Sequence, residues 1–143
     1  MTTNFNSQIV AKCEQSEQLL AMGLKSETAD MYLKYDGNSY FITYTLTVKD
    51  NLVPYTLKEE DIPVWSLSRL LELLPVEVPD PKPGFESHHP ELIIHENGYN
   101  ISIRRYTTDC LVGTHIEDSP INCCVSIIEW LIKKKLFNKE YLT

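Results

Sequence analysis

Only five glycines occur in this chain, and none falls in a Gly-x-Gly-x-x-Gly or P-loop spacing, so the backbone cradles that hold nucleotide phosphates are missing. The nucleophile elbow Gly-x-Ser-x-Gly is also missing. The four cysteines (Cys13, Cys110, Cys123 and Cys124) form no Cys-x-x-Cys, and the adjacent pair at 123–124 suits neither a routine disulfide nor a zinc knuckle. No stretch approaches the roughly 18 apolar residues of a membrane helix. The opening MTTNFNSQIV lacks the basic and apolar regions of a secretory leader. Basic residues are outnumbered 13 to 20, and the formal charge of −7 repels phosphate backbones. The one basic run is IKKKLFNK (132–139). These absences predict free thiols in a reducing cytoplasm, no membrane partner, no cofactor and no direct nucleic-acid binding.

What is present suits one globular domain spanning 1–143. Apolar residues make up 43% and charged residues 23% of the chain, and a domain of this length buries roughly 70% of its unfolded surface. Residues 4–22 carry an amphipathic period, with Asn4 or Asn6 as cap and Gly23 where a left-handed C-cap belongs. A shorter helix is predicted over 27–34, with Ser26 as N-cap and Asp30 near its positive end. SYFITYTLTV (39–48) alternates strictly and reads as a strand. Asp50-Asn51 suits a turn, and Pro54 confines LVPYTL to an edge. Leu67, Leu70, Leu71 and Leu74 share a helical face, which predicts a helix over 62–75 with Ser66 able to cap. Five prolines between 75 and 90 mark an extended surface connection.

From residue 91 a meander is expected. Asn97-Gly98 is a type I′ hairpin signal that places Ile94 opposite Ile101 and Leu92 opposite Ile103, with His95 opposite Asn100 on the polar face. A second turn at Thr107-Thr108 sets Val112 beside Ile103. The last helix has Ser119 or Asp118 as cap, Pro120 in its first turn and three lysines in its last. The predicted class is α+β: a mostly antiparallel sheet of four to five strands with helices on one face, in the order ααβ(β)αβββα.

FESHHPELIIHE (85–96) concentrates three of the four histidines beside three glutamates. Its candidate metal ligands are Glu86, His88, His89 and His95. Metal coordination needs donors converging at about 2.0–2.2 Å. Adjacent His88 and His89 diverge in an extended loop, and His95 lies farther along on a strand, so the reading is a solvated loop plus a polar strand face, without metal. Cys123, in the first turn of the last helix, has a physical route to reactivity through the helix dipole, although cysteine more often packs as a small hydrophobe. Cys110 is predicted on the core face. Glu59-Glu60-Asp61 and Glu117-Asp118 suit helix starts, and Trp65 and Trp130 suit core packing. No catalytic residue is assigned.

ETADM (27–31), IPVWSLSRLLELLP (62–75) and CVSIIEWLIK (124–133) together resemble a group of small uncharacterised proteins of gut commensal bacteria, often encoded in prophage or other mobile-element regions. The resemblance implies a cytoplasmic accessory protein and brings no activity. The expected function is non-enzymatic binding of another protein or of a second copy of the chain. The alternatives are a metal-binding or hydrolytic protein using 85–96, and a regulator of mobile-element DNA functions.

Overall fold

A computed structural model describes residues 10–35, 40–44, 47–48, 51–52, 61–105 and 109–143. The mixture is α+β, with antiparallel pairing throughout the described strands.

Helix α1 (Cys13–Ala21) starts later than its apolar period suggested. Val10 bridges to Ser66 and the Ala11 amide donates to the Trp65 carbonyl, so residues 10 and 11 are spent on strand-like pairing. The caps expected at Asn4 and Asn6 lie outside the described residues. The helix closes as read: Gly23 takes φ +100°, its amide donates to Leu20 O, and the Leu24 amide donates to Leu19 O. That is the Schellman arrangement, which favours glycine.

The helix expected over 27–34 is instead one 3-10 turn (Ser26–Thr28) and a strand, β1 (Met31–Tyr35). The strand is held from both sides, pairing with β2 (Tyr40–Tyr44) and with β5 (Ile62–Val64). Two partners outweigh a weak local helical preference. Between them in sequence, β3 (Thr47–Val48) and β4 (Asn51–Leu52) form a two-strand ladder. The SYFITYTLTV strand is thus described as two pieces, and Pro54 and the 107–108 turn lie outside the described residues.

The helix expected from residue 62 begins at 67, because 62–64 complete the β1 sheet. Ser66 caps α2 (Leu67–Leu73), its hydroxyl accepting from the Arg69 amide at 3.1 Å. Asp30 accepts from the Ser66 amide at 2.8 Å, and Arg69 Nε donates to the Thr28 carbonyl at 2.7 Å. Asp30 therefore serves the start of α2 rather than a helix of its own. Trp65 is fully buried, with Nε1 donating to Thr28 Oγ1.

The second three-stranded sheet runs β6 (His89–His95), β7 (Gly98–Arg104), β8 (Cys110–Gly113), in that spatial order. The hairpin exists, but its loop is Glu96-Asn97, pairing His95 with Gly98, Ile94 with Tyr99 and Leu92 with Ile101. The register is two residues from the expected one, which keeps every side chain on its expected face. Gly98 is needed beside the turn rather than in it. It has φ +151°, and a β-carbon there would collide with the Glu117 carbonyl oxygen.

Ser119 caps α3 (Pro120–Lys133), accepting from the Asn122 amide at 3.1 Å. Ile121, Cys124, Ile127, Ile128 and Leu131 of α3 are buried, and Ile101 and Ile103 of β7 lie in the same apolar cluster with Leu70 and Leu73 of α2 and Leu19 of α1. In place of one sheet of four to five strands, the described residues form sheets of three, two and three.

Candidate functional site

The 85–96 segment is divided by its backbone. His88 sits at the end of the proline-rich connection, where its amide and carbonyl both pair with Val78 at 2.8 Å. Both residues are buried, His88 at 1% exposure, so this stretch is a folded-back ribbon and not the solvated loop expected. His89 opens β6 and turns away, with Nδ1 3.0 Å from the Val76 carbonyl oxygen. His95, exposed at the far end of β6, places Nε2 against Asn100 Oδ1. Glu86 is exposed, and its carbonyl accepts from Arg105. The four candidate ligands thus occupy unlike environments. Among the described residues no group of three or more His, Cys, Asp or Glu side chains is arranged to hold a metal.

A polar cluster does form around His88, from residues the sequence did not single out. Arg105 Nη1 donates to Asp80 Oδ2 at 3.2 Å and to the Glu86 carbonyl at 3.1 Å, while its Nε donates to Asp109 Oδ2 at 3.0 Å. The Phe85 ring covers the guanidinium at 5.0 Å. His88 lies between the same carboxylates, Nδ1 3.8 Å from Asp80 and Nε2 4.0 Å from Asp109. These separations are too long for hydrogen bonds, and Nδ1 is left buried without a partner. With Lys82 they border a cavity of about 250 Å³. The cluster ties the connection to the base of the β7–β8 hairpin. Its one sequence signal is the Arg105–Asp109 spacing across a turn.

Cys110 also borders this cavity, but its thiol is exposed and donates to the Val112 carbonyl at 3.2 Å. The core-face expectation is overturned by a bulge. Register shifts between Ile103, paired with Val112, and Arg104, paired with Cys110. One extra residue moves Cys110 to the opposite face. The reactive route for Cys123 is overturned as well. Both α3 thiols are buried, and desolvation pushes Cys123 up and Cys124 up to about 12.

The other exposed feature is the outer edge of β6, which no described strand pairs. On the inner side, Tyr99 exchanges both main-chain bonds with Glu117, and Ile101 directs its amide and carbonyl to Thr114. Their partners Ile94 and Leu92 are therefore non-bonded pairs in the hairpin, and point their own amides and carbonyls outward. By alternation Pro90 does the same, so its missing N–H costs the hairpin nothing. Leu92 is 38% and Ile94 76% exposed on the face that Ile101 and Ile103 bury beneath α3.

Comparison with family models, curated proteins and solved structures gives no match.

Proposed function

We propose that this chain is a small cytoplasmic accessory protein, without catalytic activity of its own, that binds a protein partner along the outer edge of β6. The observation that carries the reading is the pairing of main-chain groups with side chains there. Leu92 and Ile94 offer unpaired amides and carbonyls, and the same residues expose aliphatic surface. An added strand would take both at once. Natural edges are guarded by prolines and charges. Pro90 and Glu91 guard the start of β6, whereas Leu92, Ile93 and Ile94 carry no charge. The gut-commensal and mobile-element resemblance supports an accessory role. No helix among the described residues is long and apolar enough to cross a membrane.

The test uses the full chain and two variants, Leu92→Lys and Ile94→Lys, with folding checked by circular dichroism. Cross-linking of the wild-type chain to its partner should map to residues 89–95, and both variants should lose the partner. Retention by both variants, or cross-links confined elsewhere, would overturn the reading.

A further inference from the structure

The outer edge of β6 is taken at His88 by Val78, and the stretch beyond it, Pro90 to Ile94, constrains what can pair there. Only alternate residues reach outward, and among them Leu92 and Ile94 provide a donor and an acceptor each, while Pro90 provides an acceptor alone. A second β6 running antiparallel about a two-fold axis must place outward residues opposite outward residues, which requires the axis to pass through a residue. Centred on Leu92, the pairing sets Ile94 against Pro90 of the other copy and leaves both Ile94 carbonyls without a donor. Centred on Ile93, it sets Leu92 against Ile94 twice, and each such pair exchanges two main-chain bonds.

The side chains agree with the second register. On one face, Leu92 and Ile94 of each copy meet at the seam and continue the apolar face that Ile101 and Ile103 form in β7. On the other, Glu91 of each copy stands opposite His95 of its mate, a carboxylate against an imidazole. Ile93 meets itself on the axis. The two three-stranded sheets become one sheet of six. Of the described edge strands β6 is the longest, at seven residues.

From this we infer that the partner of the β6 edge is a second copy of the chain, paired antiparallel with Ile93 on the two-fold axis. The inference rests on the edge-binding reading above and names its occupant.

Cysteine trapping in the full chain tests it, in a background with the exposed thiols removed (Cys13→Ser, Cys110→Ser). A non-hydrogen-bonded pair on the axis brings its α-carbons to about 4.5 Å, within disulfide range. Under oxidation Ile93→Cys should therefore give a covalent dimer. Leu92→Cys should not, because its two copies stand about 8 Å apart in this register. On the unmodified chain, exchange of the Leu92 and Ile94 amides should slow at least about tenfold between micromolar and several hundred micromolar protein. This readout holds even if a cysteine variant misfolds.

Trapping at 92 but not 93 would overturn the register while leaving self-pairing. A monomer at all concentrations, with a different protein lost on Ile94→Lys, would overturn self-pairing and leave the edge reading intact. A monomer whose associations ignore both lysine variants would sink both.

Discussion

At Cys123 and Cys124, two effects of position oppose one another. The positive end of α3 favours a thiolate by about 0.3–1 kcal/mol, while burial withdraws the solvent that a thiolate needs. Both side chains are fully buried, and Cys124 is pushed from the ordinary 9.0 to about 12 chiefly by desolvation. Sequence showed the helix start through Ser119 and Pro120. It could not show that β7 packs against the first turn, where the Cys123 thiol donates to the Tyr99 carbonyl at 3.3 Å, which is a fact of packing. A raised pKa has a definite consequence for stability. The folded chain keeps Cys124 neutral where the unfolded chain ionises, so its contribution is whole below pH 9 and is lost as pH rises toward 12. Relative to Cys124→Ala, wild-type unfolding free energy should fall by up to about 1.4 kcal/mol per pH unit above pH 9. Urea titrations at pH 8, 9.5 and 10.5 measure this, and parallel curves for the two proteins would refute it. Gly98 is a second position where one atom decides. Gly98→Ala forces a methyl into the Glu117 carbonyl and should cost about 2 kcal/mol, read in the same titrations.

Among the elements, the proline-rich connection departs most from its sequence. Prolines signalled an extended path, but the chain turns at 83–84 and the pairing of Val78 with His88 makes it a folded-back ribbon. Arg105 then reaches back to Asp80, 25 positions away, and to the Glu86 carbonyl, 19 away, and no local period could reveal that. The β6–β7 hairpin was legible in kind, since its apolar alternation fixes which side chains face inward. Its register was not, because Gly98 answers to the Glu117 carbonyl rather than to the turn. Within the clamp the two basic groups differ in weight. Arg105 satisfies two carboxylates and a carbonyl, whereas His88 Nδ1 has no hydrogen-bond partner. Arg105→Ala would strand Asp80 beside a buried imidazole and should destabilise by about 2–3 kcal/mol. His88→Leu removes an unsatisfied buried nitrogen and should change stability by less than about 1 kcal/mol. Chemical denaturation of the two variants checks the contrast. A larger loss at His88 than at Arg105 would mean that the imidazole, and not the guanidinium, holds the connection in place.

For the molecule as a whole, the α+β mixture was legible in the sequence, and so, through Leu70 and Leu74, was part of the buried face of α2. The division of the described strands into three small sheets was hidden, because strand partners are chosen across the fold and not along it. Net charge was legible without any structure, and it acts on the proposed dimer. Each copy carries a formal −7, so bringing two together works against mutual repulsion that reaches about 30 Å at 10 mM salt and only about 8 Å at 150 mM. The seam itself is built from main-chain bonds and aliphatic side chains, which salt screens little. Raising sodium chloride from 10 to 150 mM should therefore strengthen self-association by roughly three- to tenfold. Sedimentation equilibrium across that range measures the change. An association that weakened with salt would be held by opposite charges on the two copies, and an uncharged strand edge could not be its basis.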